Sequence, residues 1–146
     1  MNAKVCIIDT NIIVAGLISA DPTSPTVQIL NAMLDGKLIY VLSAALLNEY
    51  SSVLRRPGIA RQHGLTDGEL DILLTELVAN AMWREPASCA DAPDPGDQHL
   101  WALLAAQSDS QLVTGDQLLL AHPPGKSSVL SARSYVDLFM TVRTAD

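Results

Sequence analysis

Short apolar runs alternate along this chain with segments whose apolar residues recur at helical spacing, and that alternation limits the folds open to it. Val5–Ile8, "KLIYVLS" (Lys37–Ser43), "SQLVTGD" (Ser110–Asp116) and "SSVLSA" (Ser127–Ala132) read as strands. A helix begins over Asn11–Leu17. Ser24 offers an N-cap with Pro25 at the first helical position, and Val27, Leu30, Met33 and Leu34 follow on one face before Gly36. A third helix runs from Ser43 to Arg56, where Pro57 and Gly58 are expected to stop it. "TDGE" (Thr66–Glu69) has the form of a capping box, and Leu70, Leu73, Leu74, Leu77 and Val78 behind it make a core-facing stripe. "PASCADAPDPG" (Pro86–Gly96) is a loop by composition and leads into a helix ending near Gln107. Tyr135, Leu138, Phe139 and Val142 mark a final helix. Strands separated by helices predict an α/β fold, a parallel sheet with helices on both faces. No internal repeat or low-complexity stretch interrupts the pattern.

At 146 residues, the chain is expected to form one domain with a single sizeable core. No apolar run approaches the length of a membrane span, and the N-terminus carries no signal-peptide pattern. Cys6 and Cys89 form no framework, and Cys6 lies inside an apolar run as a small core residue. A reducing cytoplasm is the expected setting. The net charge of −7 argues against tight, sequence-blind nucleic-acid binding, which leaves a basic footprint. It is compatible with an enzyme whose acids cluster around a cation.

In parallel sheets, ligands bind outside the carboxyl ends of the strands. Asp9 ends the first strand, and Asp116 follows "LVT" at a matching position. Each acid also has a local explanation. Asp9 is a good helix N-cap, and Asn11 a turn former. Glu49 falls roughly 100° from the centre of the stripe made by Leu46, Leu47, Tyr50, Val53 and Leu54, where an exposed glutamate is unremarkable. Asp97 lies on the apolar face of Leu100, Trp101 and Leu104, yet with Asp94 as N-cap and Pro95 first it would be a third-position acid favoured by the helix dipole. Asp116 can shape a turn with Gly115. Taken together, four or five carboxylates at strand ends and helix starts repel one another unless a cation sits among them. Their oxygens are hard ligands suited to Mg²⁺ or Mn²⁺. His63, His99 and His122 are scattered and are expected at the surface, no zinc pattern is present, and no glycine-rich phosphate loop occurs.

With these residues in view, the chain resembles the PIN-domain family, and more narrowly its single-domain bacterial toxins of toxin–antitoxin pairs. "IIDTNIIVAGL" resembles the family's opening strand with Asp-Thr-Asn. "LLNEYSSVLRRP" resembles its acid-bearing helix, "DAPDPGDQHLWALLAA" its Asp-Pro-x-Asp loop and helix, and "QLVTGDQLLL" its Val-Thr-Gly-Asp strand end. Any one is weak; four in order are specific. The resemblance implies a three-layer α/β/α sandwich around a parallel sheet. It also implies a ribonuclease using one or two Mg²⁺ or Mn²⁺ ions and leaving a 5′-phosphate and a 3′-hydroxyl. Asp9, Glu49, Asp97 and Asp116 match the family's acidic quartet, Asp94 an accompanying acid, and Asn11 and Thr114 the polar site lining. RNA is the implied substrate and a cognate antitoxin protein the implied partner; a homodimer is compatible with it. Arg55, Arg56 and Arg61, near the end of the acid-bearing helix, are either a solvated helix end or contacts to the RNA backbone. Two departures bear on the ligand shell: Gln98 stands where many relatives have Asp or Asn, and Gly96 where many have a charge.

Three other readings compete. A haloacid-dehalogenase phosphatase would need Asp-x-Asp, and Asn11 breaks it. A receiver domain would need a late lysine, and only Lys126 in a Pro-Gly loop is there. A catalytically weak PIN fold kept as an RNA- or protein-binding module would be expected to have lost acids from the quartet. Within "DPGD", Asp94 is placed to cap the helix and Asp97 to bind metal. Asp94→Ala should therefore cost about 0.5–2 kcal/mol of stability with a small effect on cleavage. Asp97→Asn should remove most Mn²⁺ affinity at little cost in stability. Thermal melts and Mn²⁺ titrations of both variants decide it, and the opposite pattern reverses the assignment.

Overall fold

The computed structural model describes residues 5–86, 98–107, 109–121, 123 and 128–140. Its elements in chain order are β1 (Val5–Ile8), α1 (Thr10–Ile18), α2 (Pro25–Leu34), β2 (Val41–Leu42), α3 (Ala44–Leu54), α4 (Pro57–His63), α5 (Asp67–Ala79), β3 (Met82–Trp83), α6 (Gln98–Ala106), β4 (Ser110–Val113), α7 (Gln117–Ala121), β5 (Ser128–Leu130) and α8 (Ala132–Tyr135). A π-helical turn, Val136–Met140, continues α8. Every strand pairing is parallel. β4 lies between β1 and β5, while β2 pairs with β3. A single bridge from Cys6 to Tyr40, with the Cys6 amide donating to Ile39 O at 2.9 Å, joins the two groups. The spatial order is therefore β3–β2–β1–β4–β5, flanked by helices as the alternation predicts. The order changes direction between β1 and β4, the kind of switch point where α/β sheets open a crevice.

Ser24 precedes Pro25 at the start of α2 as expected, but its side chain makes no cap bond; the starts of α3 and α5 follow their local chemistry. Ser43 accepts from the Leu46 amide at 3.2 Å and caps α3. Thr66 and Glu69 form the reciprocal capping box at α5, with bonds of 3.1 and 2.9 Å. Gly36 ends α2 with a φ of +72°, a conformation in which a side chain would be strained. The Lys37 amide then bonds back to Ala32 O at 2.9 Å, so the second strand is shorter than "KLIYVLS" suggests.

Pro57 and Gly58 do more than stop a helix. α3 ends at Leu54, and Pro57 is the first residue of a new helix, α4, because a proline lacks only an N–H that the first turn leaves unpaired anyway. α7 and β3 likewise leave no clear mark in the sequence; both are short and carry little periodicity. Val142, Cys89 and Ser127 lie outside the described residues.

The core is assembled on both sides of β1. Cys6, Ile7 and Ile8 are fully buried, together with Tyr40, Leu42, Leu46, Tyr50, Leu54 and Leu77. Burial pushes the Cys6 thiol up to about 11, leaving it protonated and inert. Two buried tyrosines tie layers together: Tyr40 donates to the Leu77 carbonyl of α5, and Tyr50 of α3 donates to the Ile8 carbonyl. The second bond holds α3 against the last residue of β1.

α1 and α2 meet at Gly16, where an added Cβ would lie 2.9 Å from the Thr26 carbonyl and 3.2 Å from Leu30. The first of these neighbours is backbone and cannot move aside cheaply. Gly16→Ala should lose roughly 1–3 kcal/mol by overpacking. Gly58→Ala, with nothing around the new methyl, should gain about 0.4–1 kcal/mol. Urea unfolding of the two variants tests this, and equal stabilities would show that the α1–α2 approach is not tight.

Candidate functional site

Asp9 closes β1 opposite Thr114, which closes β4, because the register pairs Ile8 with Val113. The Asp9 amide completes the ladder by donating to Val113 O at 2.9 Å. Its side chain then turns into a hydrogen-bonded seat. Oδ1 accepts from the Thr10 amide at 2.8 Å, as a cap does for α1. Oδ2 accepts from Thr114 Oγ1 at 2.7 Å and from Asn11 Nδ2 at 3.3 Å. Asp9 is only 7% exposed, and Thr114 is fully buried. Such a group would cost several kcal/mol to bury without these donors.

The loop after β4 is built onto the same atoms. Thr114 Oγ1 accepts from the Asp116 amide at 3.0 Å, and Asn11 Oδ1 accepts from the Gly115 amide at 2.9 Å. Asp116 in turn caps α7 through the Leu118 amide at 2.9 Å. Its role as a turn former is thus real and coexists with its place at the strand end. Glu49, on α3, accepts from Thr10 Oγ1 at 2.7 Å.

A cleft of about 400 Å³ is lined by Asp9, Thr10, Asn11, Glu49 and Asp116, with Val14, Ala15, Val53 and Ile59 as an apolar wall. Five residues singled out in the sequence therefore come together: Asp9, Asn11, Glu49 and Asp116 line this cleft, and Thr114 supports it from beneath. Asp94 and Asp97 lie outside the described residues. None of Arg55, Arg56 and Arg61 lines the cleft. Arg55 is engaged elsewhere, 3.0 Å from Asp67 and 2.6 Å from Asp71 on α5. Arg56 is exposed at the start of α4, and Arg61 is exposed in its last turn.

Two histidines differ from their expected surface positions. His63 is half-buried, with Nε2 2.8 Å from Leu54 O and Nδ1 accepting from the Leu65 amide at 3.0 Å. It closes the ends of α3 and α4. His99, on α6, sits 3.2 Å from Glu49 Oε1 through Nε2. Nothing in the spacing of His99 marks it, since the contact depends on where α6 packs. His122 is outside the described residues. Thr10 was visible in "DTN", but its bond to Glu49 was not.

The donor set suits a divalent cation in kind: carboxylate and hydroxyl oxygens on one wall, with no thiolate among them. Among the described residues, no group of three or more acidic, histidine or cysteine side chains is close enough to hold an ion unaided. The site's electrostatics work against the charge on Asp9. Burial, the largest cause, pushes the Asp9 carboxyl above the usual range, and the charge on Glu49 pushes the same way. The Thr114 and Thr10 bonds and His99 oppose the rise.

Comparison with known proteins identifies the family and the fold. A PIN domain family model matches residues 5–118, from β1 into α7. The chain belongs to the PIN domain family, whose members are generally nucleases. Its fold is similar to that of the PIN domain of T. brucei RRP44, with a TM-score of 0.54 over 99% of this chain and 85% of that one. The sequence identity of 17% makes this a likeness of fold. No curated protein matches the chain.

The Asp9 shift has a direction in pH. A carboxyl whose pKa rises on folding stabilises the fold while protonated, and that contribution disappears as pH climbs from the ordinary carboxylate range through the raised value. With divalent ions chelated, Asp9→Asn should be more stable than the parent near neutral pH. The difference should close as the pH falls toward about 4, where the unfolded carboxyl also takes up its proton. Urea midpoints across that range test it; a gap independent of pH would contradict the assigned burial cost.

Proposed function

We propose that this chain is a divalent-metal-dependent endoribonuclease, hydrolysing RNA phosphodiester bonds as the toxin of a type II toxin–antitoxin pair in the cytoplasm. The observation that carries the reading is the buried Asp9 at the β1–β4 junction, sharing one cleft with Glu49 and Asp116. Family membership supports the nuclease class. The toxin role rests on the resemblance of the four acid-bearing motifs. Among the described residues, no helix is long and apolar enough to cross a membrane.

Asp9, Glu49, Asp97 and Asp116 would hold one or two Mg²⁺ or Mn²⁺ ions, with Asp94 accompanying them. Bound there, such ions supply a water of lowered pKa and neutralise the phosphate. Asp9 is the fixed point, since its position is set by the sheet and three side-chain or backbone donors. Asn11 and Thr114 keep it and the Gly115–Asp116 turn in register. Arg56 and Arg61, both exposed, are available to the RNA backbone, whereas Arg55 would first have to leave Asp67 and Asp71. An antitoxin covering the cleft would suit it with an Arg or Lys, whose charge-assisted bonds match the carboxylates.

Cleavage of RNA should require Mg²⁺ or Mn²⁺ and stop in EDTA. Asp9→Asn should reduce it on the order of 100-fold or more. Expression of the chain alone should slow growth, and the same substitution should relieve the effect. Cleavage that persists in chelator sinks the metal-dependent mechanism. Equal toxicity of the variant would separate growth arrest from nuclease activity. RNA binding without cleavage at any metal concentration would instead favour a catalytically weak binding module.

A further inference from the structure

His99 is half-buried, and its ring is poorly provided for. Nδ1 is buried with no hydrogen-bond partner among the described residues, and Nε2 faces Glu49 Oε1 at 3.2 Å. Buried polar atoms are normally paired, so a residue retained only for packing would be better apolar. The one contact its polarity serves among the described residues is with Glu49. That contact does not stand alone. Thr10 Oγ1 donates to the same oxygen, Oε1, at 2.7 Å. Thr10 belongs to α1 and His99 to α6, and both helices pack against α3, which carries Glu49. A hydroxyl donor and an imidazole nitrogen from different elements therefore meet at one oxygen of a side chain that lines the cleft. Oε2 has no hydrogen bond among the described residues.

We propose that His99 is a positioning residue for Glu49, clamping Oε1 together with Thr10 so that Oε2 is presented for a divalent cation. The proposal rests on the metal-dependent reading of the cleft. A free glutamate samples many rotamers, and fixing it beforehand removes that cost from cation binding. The clamp needs only a proton on Nε2, which both the imidazolium and the Nε2–H neutral tautomer provide. His99 acts through Glu49, and no contact with substrate is assigned to it. It is not one of the acids of the resemblance, and the identity of the side chain at 99 would set how firmly Glu49 is held.

The test is a double-mutant cycle of His99→Ala and Glu49→Gln, with His99→Gln as the conservative variant. Mn²⁺ affinity is measured by calorimetry, and urea stability in EDTA. Outer partners of metal ligands typically contribute about 10–100-fold in metal affinity. His99→Ala should weaken Mn²⁺ binding at least about tenfold in the parent and little further beside Glu49→Gln. His99→Gln, whose amide can reach the place of Nε2, should recover most of the affinity. The two substitutions should also be non-additive in urea without metal, which reports the contact itself. If His99→Ala weakens Mn²⁺ equally in both backgrounds, the positioning role is overturned while the metal site stands. If the parent binds no Mn²⁺ at all, the metal-dependent reading fails and the positioning role falls with it, even where the urea coupling persists.

Discussion

The hydrogen bond from Thr114 Oγ1 to Asp9 Oδ2 is the contact on which the site depends. It joins the ends of two adjacent strands that are 105 positions apart in the chain. The Thr114 hydroxyl also accepts from the Asp116 amide, so one buried oxygen sets both the first acid and the turn carrying the last one. A carboxylate this buried is tolerable only because its seat is ready-made. Its raised pKa is the residue of that conflict: the donors lower the cost of the charge without cancelling it.

Around this bond, the fold works as a frame for holding charges close. Parallel pairing of β1 with β4 brings their carboxyl ends level, and α1 begins at once after Asp9. α3 is held to the same strand end by Tyr50, whose hydroxyl bonds the Ile8 carbonyl one residue before Asp9. Glu49 is the residue preceding Tyr50, so the buried tyrosine anchors the helix at the point where the acid must project. The apolar anchor and the polar cargo are thus consecutive residues on one helix, facing different ways.

The two histidines mark where local reasoning stops working. His63 lies next to Gly64 and Leu65, and its capping bonds are mostly a matter of nearby backbone. His99 lies on a helix whose sequence face says nothing of its partner, because Glu49 belongs to another helix. Arg55 shows the same limit with opposite effect. Its place at the end of the acid-bearing helix suggested a free cation, but α5 brings Asp67 and Asp71 against it. An ion pair formed between helices removes a charge that the chain alone would leave available.

What the sequence by itself determined is what acts over a turn or two of chain. The Thr66–Glu69 capping box, the Ser43 cap, the Leu70, Leu74 and Leu77 face of α5 (Val78, expected on it, is exposed) and the acid at the end of β1 rest on interactions between residues a few positions apart. Pro57 was legible as punctuation but not as a beginning, since one proline can follow one helix and start another. The tertiary structure alone decided the strand order, the sharing of Thr114 between Asp9 and Asp116, and the meeting of Thr10, Glu49 and His99 on one oxygen. Those contacts depend on how apolar burial packs distant helices and strands together. Burial is non-directional, so it leaves no mark in the local pattern to say which polar atoms will meet.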